Sequence, residues 1–320
     1  MNKKLANYDA DSLIYKAACV VQESPLVVTH KINKNRQKEF KNVTEWREFL
    51  KKHKGYDEQD FDVVQTPRMK EDVSHALHIL KNSVEKILTY PWVEDFHLFI
   101  GGANNFRKDI ATILPYKGKR GERPIAFQQC YDYLVNKYRD RLTICEGEEG
   151  EDGAVIATYP EYLKARKARD KEAMGAVIAS IDKDVKSACP GWHFNYDKPE
   201  EGLVWLTDKD VARNFSYQML IGDRATDNIP GCTVLGEATA SLYGLRKSKG
   251  GIGPASAEKI LAGVESEKEM VRRVVEAYKD SFRDEWEKHI TENGVLLKIR
   301  RHPGEVFDYL EYAKGLGVSV

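Results

Sequence analysis

Short apolar runs rich in β-branched and aromatic residues alternate along the first 180 positions with stretches whose apolar residues recur every three or four. The runs read as buried strands: one ending in Ala6-Asn7-Tyr8, then His97-Leu98-Phe99-Ile100, Leu142-Thr143-Ile144-Cys145 and Ala176-Val177-Ile178-Ala179-Ser180-Ile181. Between them Leu77, Leu80, Val84, Ile87 and Leu88 form one helical stripe, and Phe127, Tyr131, Leu134, Val135 and Tyr138 form another just past Pro124. Strands alternating with helices predict an α/β fold, a mostly parallel sheet flanked by helices on both faces. Further helical patterns cover 211–221 and 265–286, and the apolar run at 295–299 predicts a tail packed on the core. Residues 21–72 mix strand-like and helical pieces and carry no interpretable motif.

In open α/β sheets the functional crevice lies beyond the carboxyl ends of the strands, so the residues that follow each strand matter. Asp9-Ala10-Asp11 follows the first, Glu146-Gly147-Glu148-Glu149-Gly150-Glu151-Asp152 the third, Asp182-Lys183-Asp184 the fourth, and Gly222-Asp223 closes the helical pattern at 211–221. A lone Asp in such a place is commonly a helix cap or turn former. Four acidic groups in the same topological position predict one carboxylate-lined rim, if those strands are neighbours. Like charges that close repel by several kcal/mol at intermediate dielectric unless cations neutralise them. Hard, oxygen-seeking Mg²⁺ or Mn²⁺ has that chemistry, and two such ions about 4 Å apart can activate water and stabilise a leaving oxygen in phosphodiester hydrolysis.

Composition narrows the class without deciding it. The 320 residues are 42% hydrophobic, 31% charged and 10% aromatic, as in an ordinary globular protein. No run approaches the roughly eighteen apolar residues of a spanning helix, and the opening MNKKLANYDADS has no apolar signal core, so a cytoplasmic protein without membrane partners is expected. Cys19, Cys130, Cys145, Cys189 and Cys232 are odd in number and form no CxxC, which argues for packed or free thiols. Lys plus Arg and Asp plus Glu both total 50, yet the charges are segregated. Residues 30–54 hold nine basic residues against three acids, residues 106–123 six against two, and residues 146–152 five acids and no base. Such blocks suit a surface that holds cations beside a polyanion, and they also suit merely solvated faces.

The sharpest local motif is GIGPASAEKIL at 251–261. Gly251 and Gly253 permit a tight turn, Pro254 suits a first helical position, Gly263 suits a helix end, and Arg246, Lys247 and Lys249 precede the turn. A helix start presented this way offers N–H groups to phosphate. The segment resembles the hairpin of a helix-hairpin-helix motif, which binds duplex backbone, often with K⁺.

With acids, basic segment and hairpin in this order, the chain resembles the 5′-nuclease family: phage 5′→3′ exonucleases, flap endonucleases and the 5′-nuclease domain of bacterial DNA polymerase I. The resemblance is closest to the phage exonucleases and runs from Leu5 to Gly263. It implies a PIN-like core over 1–208 with a helical arch around 103–124, and a helix-hairpin-helix subdomain with a helical tail over 209–320. It implies two Mg²⁺ or Mn²⁺ ions and a K⁺ at the hairpin. Asp9 matches the first metal-binding acid, with Asp11 behind it. Glu149, Glu151 and Asp152 match the acidic block, Asp182 and Asp184 the next pair, and Asp223 the following acid. Asp227 matches the last acid, four positions beyond Asp223 where the family usually allows three. By the same resemblance Asp9, Glu149 and Glu151 hold one ion and Asp182, Asp184 and Asp223 the other, Asp152 being assigned to neither. Lys117 matches a lysine on the scissile phosphate, supported by Arg107, Lys108 and Arg120, with Tyr116 and Lys119 beside them. Tyr15 matches an aromatic that stacks on a base near the cut, and Gly251, Gly253, Ser256 and Lys259 fall on the duplex-binding hairpin. Gly102 departs from the pattern, standing where relatives carry an Asp.

The implied function is a monomeric, metal-dependent 5′→3′ exonuclease and flap endonuclease acting on DNA with 5′ ends, flaps or nicks in replication or recombination. RNA primers in RNA–DNA hybrid are further candidate substrates, replication proteins candidate partners, and the host cytoplasm the place if the chain is phage-encoded. Two other readings stay open: a DNA-structure-binding replication or repair accessory with decayed catalysis, for which Gly102 argues, and a PIN-type ribonuclease.

Overall fold

The computed structural model describes residues 2–246 and 251–320. Lys247 and Lys249, counted above among the cations before the hairpin, lie outside them. In chain order the first half contains β1 (Lys4–Asp9), α1 (Asp11–Val20), β2 (Gln22–Glu23), β3 (Leu26–His30), β4 (Gln37–Phe40), α2 (Val43–Lys52), β5 (Phe61–Gln65), β6 (Arg68–Met69), α3 (Val73–Glu85), β7 (Val93–Gly101), α4 (Arg107–Ile110), α5 (Phe127–Lys137) and β8 (Leu142–Cys145). The second contains α6 (Gly150–Ala168), β9 (Ala176–Ala179), β10 (Gly191–Phe194), β11 (Leu203–Leu206), α7 (Asp208–Ile221), α8 (Glu237–Leu242), α9 (Pro254–Ile260), α10 (Glu267–Phe282), α11 (Trp286–Leu297) and α12 (Tyr309–Gly315).

The chain divides into two compact units. One comprises the residues up to Asp11, Ile87–Gly121 and Asp140–Val320; the other comprises Ser12–Lys86 and Glu122–Arg139. Residues 140–320 thus share one unit, which spans the boundary expected at 208.

The first unit is built on a six-stranded sheet in the order β11-β10-β9-β1-β7-β8. All neighbours run parallel except the edge pair β10–β11. The expected strands are there as neighbours, so the carboxyl ends of β9, β1, β7 and β8 share one rim. The strand expected over 176–181 stops at Ala179, because Ser180 turns its hydroxyl to Asp9, donating at 3.0 Å. Helix α6 packs on β1, β7, β8 and β9. A second apolar core, including Met219, Leu220, Val274, Tyr278, Ile290 and Tyr309, joins α7, α10, α11 and α12. Tyr278 carries a buried hydroxyl through it, donating to Met219 O at 2.7 Å. The apolar tail expected at 295–299 completes α11 and continues as extended chain through Lys298.

The segment 103–124 is not a helical arch. It holds one helical turn, α4, and is otherwise irregular. Pro115 and Pro124 lack the donor an extended helix needs, and Asn104 and Lys117 adopt left-handed φ values of 56° each.

In the second unit β4-β3-β5 form an antiparallel sheet whose core of Leu26, Val28, Phe40 and Trp46 includes one α2 residue. Helices α3 and α5, the two predicted stripes, pack together. The nine cations of 30–54 are all exposed on this unit. All five cysteines are free, four of them buried. Among the described residues no helix is long and apolar enough to cross a membrane.

Candidate acidic site

The rim gathers the acids through elements that each end where a carboxylate is needed. Asp9 is the last residue of β1 and is 4% exposed; Glu149 precedes α6, and Glu151 lies in its first turn. Asp182 and Asp184 follow β9. Asp223 and Asp227 come from a tight loop after α7, closed by reciprocal backbone hydrogen bonds between Asp223 and Ile229 of 2.9 and 2.8 Å. Gly222 and Gly231, both with positive φ, make that loop possible: a Cβ on Gly222 would lie 2.4 Å from Ile229 O, and one on Gly231 2.3 Å from Gly222 N.

Burial, and after it the charge of neighbouring acids, perturbs Asp9, Glu151, Asp182 and Asp184. Burial pushes Asp9 up to about 8, helped by the charges of Asp11, Asp182 and Glu149 against the Ser180 hydrogen bond. Asp184 is also raised to about 8, by burial and then by Asp182, Asp223 and Asp227, with Lys183 opposing. Burial raises Asp182 and lifts Glu151 well above the usual carboxylate range, Asp182 and Glu149 adding to the latter. Burial raises Asp11 too, although the backbone N–H groups of Gly101, at 3.0 Å, and Gly150, at 3.1 Å, donate to its carboxylate. Asp11 therefore stands behind Asp9 as a fixed acceptor that joins β7 to the start of α6.

Side-chain donors occupy much of the remaining oxygen. Glu149 accepts from Asn105 at 2.7 Å, from the Tyr116 hydroxyl at 3.0 Å and from Lys117. Asp227 lies within 3.0 Å of the same hydroxyl and accepts from Arg120 at 2.7 Å. Gln218 donates to Asp184, and the Lys183 amine lies 3.8 Å from Asp223. Asn105, Ser180, Lys183 and Gln218 were not anticipated. No local motif marks them, because they reach the site from a loop, a strand end and a helix brought together only by the fold. Lys117 holds its left-handed backbone by donating its N–H to Asp227 O at 2.8 Å, so one residue touches the acids with both main chain and side chain.

Several expected roles change. Arg107 is 1% exposed and forms a double ion pair with Asp152, at 2.7 and 2.9 Å, which is itself fully buried. Burial would raise Asp152, but the guanidinium and the N–H groups of Arg300 and Glu149 hold it below the usual carboxylate range. Its four acceptor positions are thus engaged within the protein, and Arg107 is turned inward to it rather than to the surface. Tyr116 is 6% exposed, and its hydroxyl points to Glu149 and Asp227, so its ring is not offered to a base. Gly251 is packed against backbone, where a Cβ would lie 2.5 Å from Cys232 O; its freedom serves that approach. Gly253 is open and precedes α9, where Ser256 is half-buried and Lys259 exposed. Lys108 and Lys119 are exposed in the first unit, and Tyr15 is half exposed on α1 in the second.

Gly102, expected as an Asp from the resemblance, is packed closely against backbone. A Cβ there would lie 2.7 Å from Cys145 O and 2.8 Å from Glu146 Cα. A carboxylate therefore has no room at this position.

The donor set fits hard divalent cations. It consists of oxygen ligands, of which Asp9, Glu151, Asp182 and Asp184 are held from ionising first by burial and then by the charge of neighbouring acids, and no hydrogen bond or ion pair from the described residues reaches the Glu151 carboxylate. Among the described residues no three His, Cys, Asp or Glu side chains already converge as a ready cage. Lys117 and Arg120 hold oxygens that an ion would share. No protein-family model matches the chain, and no curated protein matches it.

Proposed function

We propose that this chain hydrolyses DNA phosphodiesters with two divalent cations, as a 5′→3′ exonuclease and flap endonuclease with a PIN-like core. The observation that carries the reading is the meeting, at one end of four adjacent parallel strands, of Asp9, Glu149, Glu151, Asp182, Asp184, Asp223 and Asp227 with Lys117 and Arg120. Asp9, Glu149 and Glu151 would hold one ion, and Asp182, Asp184 and Asp223 the other, with Asp227 orienting Arg120. Bound Mg²⁺ or Mn²⁺ supplies activation of water and neutralisation of charge at the phosphate. Lys117 and Arg120, which pair with Glu149 and Asp227, are the cations that would turn to the scissile phosphate and stabilise the charge that grows on it. Ser180, whose hydroxyl donates to Asp9, would keep that carboxylate directed at the site.

The segments around α8 and α9, with the glycines between them, support a helix-hairpin-helix role in gripping duplex backbone, with K⁺ as the associated ion. Recognition would then come from nucleic-acid shape and phosphate positions rather than base edges. A 5′-labelled flap substrate incubated with Mg²⁺ and then with EDTA tests the reading: cutting near the junction that stops on chelation is the expected outcome. The crowded Gly102 favours a second reading, a DNA-structure-binding accessory, and flap binding with no cutting in Mg²⁺ or Mn²⁺ would select it. Faster cleavage of unstructured RNA than of flapped DNA would instead select a PIN-type ribonuclease.

A further inference from the structure

Residues 292–300, more than 130 positions from the acidic block, are wired into it. Glu292, 7% exposed, accepts from Thr112 N at 3.0 Å, Ile113 N at 2.8 Å and the Thr112 hydroxyl at 2.5 Å, just ahead of the Lys117 turn. Leu296 O and Lys298 O take two further donors of Arg107 at 3.1 and 2.9 Å. Arg300 N donates to Asp152 at 2.9 Å, and the Arg300 guanidinium binds Glu148 at 2.6 Å while lying 3.7 Å above the Phe106 ring. On the other side of the buried pair, Asp152 accepts the Glu149 N–H at 3.1 Å, and Asn105 accepts from Arg107 N and donates to Glu149.

Stability is a weak reason to keep such a pair. The desolvation of two buried charges largely offsets their attraction, and apolar replacements of similar volume are often neutral or better. What the network does achieve is to fix the start of α6 and the loop bearing Lys117 to one piece of chain. We propose that residues 292–300 are a clasp, and that Glu292, Arg300, Arg107 and Asp152 are positioning residues that set Glu149, Glu151 and Lys117 in register for cation and phosphate. This rests on the reading of the acids as a cation site and adds to it a role for the C-terminal segment.

The test is Mn²⁺ affinity of the full-length protein, by titration with detection of free Mn²⁺ by electron spin resonance, alongside steady-state cleavage. Glu292→Ala, Arg300→Gln and Asp152→Asn are expected to bind Mn²⁺ about 10-fold more weakly, as outer-shell changes commonly do. Turnover should fall with them while KM for DNA stays within about twofold, the signature of a misplaced site rather than lost substrate contacts. Glu292→Gln, which keeps a carbonyl for Thr112 N and Ile113 N, should recover most of the affinity. Arg272→Gln, on a half-exposed pair of α10, is the control for general loss of charge. Parent-like Mn²⁺ affinity in folded Glu292→Ala and Arg300→Gln overturns the clasp, and these two decide the matter if Asp152→Asn does not fold. A parent protein that binds Mn²⁺ without cutting DNA overturns the nuclease reading and leaves the affinities to judge the clasp; one that binds no Mn²⁺ overturns both.

Discussion

At Lys117 a long cationic side chain sits on a left-handed backbone, a conformation that costs a non-glycine residue about 1–2 kcal/mol. Strain of this kind persists where the surroundings over-determine it, here through the N–H bond to Asp227 and the amine on Glu149. The two contributions separate by substitution. Lys117→Ala and Lys117→Gly should both lose roughly 10²–10³ in turnover if the amine stabilises the phosphate. Thermal melts should nevertheless rank Lys117→Gly above Lys117→Ala by about 1 kcal/mol, since only glycine accepts the φ without strain. Equal melting with full loss of turnover would remove backbone strain from the account. Gly102 is the converse case. Introducing a carboxylate by Gly102→Asp pushes a Cβ into Cys145 O, so the expected result is a loss of about 1–3 kcal/mol and no gain in Mn²⁺ affinity. Tighter Mn²⁺ binding by this variant would mean that the backbone yields there and that the missing acid matters more than the packing. At Asp182 the expectation is simpler: Asp182→Ala should abolish cutting while largely sparing flap binding in Ca²⁺, and near-parent turnover would take Asp182 out of the site.

Among the elements, the strands and the acids that end them were the most legible part of the chain. Fully buried parallel strands leave short continuous apolar runs, as Ala176–Ala179 does, and the chemistry of an α/β sheet collects at their carboxyl ends. The segment 103–124 was legible only as charge. Its six basic residues against two acids said nothing of where each would face, and the fold sends Arg107 inward to Asp152 while leaving Lys108 exposed. Asp152 shows the same limit: spacing alone does not reveal that it faces a guanidinium that arrives from 45 residues away. The loop from Gly222 to Gly231 shows what a motif can specify. Its two glycines approach within a distance that no side chain tolerates, and this places both Asp223 and Asp227. Gly222→Ala should therefore cost at least about 2 kcal/mol through backbone displacement and weaken Mn²⁺ binding together with stability. Retained affinity in a protein whose melting temperature has fallen would show that the loop supports the fold without setting the site.

Across the whole molecule, opposed titrations give a pH profile that cations should change on one side only. Asp9 and Asp184, raised to about 8, favour the folded state when protonated. Their contribution is complete below the unfolded carboxylate pKa of about 4 and is lost as pH rises towards 8, because the unfolded chain releases those protons sooner. His193 works in the other direction. Burial lowers it to about 4, outweighing the hydrogen bond with Cys189 O, so its neutral form suits the fold and stability is lost as pH falls from about 6.5 towards 4. Mg²⁺ competes with protons for the carboxylates and leaves an imidazole buried in β10 untouched. Melting curves between pH 4 and 9 should thus show the alkaline loss shrinking in Mg²⁺ and the acid loss unchanged. The same competition predicts that cation binding at pH 7 displaces protons, in a number that falls as the pH is raised towards 9. Calorimetric titration in buffers of different ionisation enthalpy reads that number directly. A proton release independent of pH would mean that the carboxylates enter the site already ionised, and that their repulsion is relieved by Lys117, Arg120 and Lys183 rather than reserved for a metal.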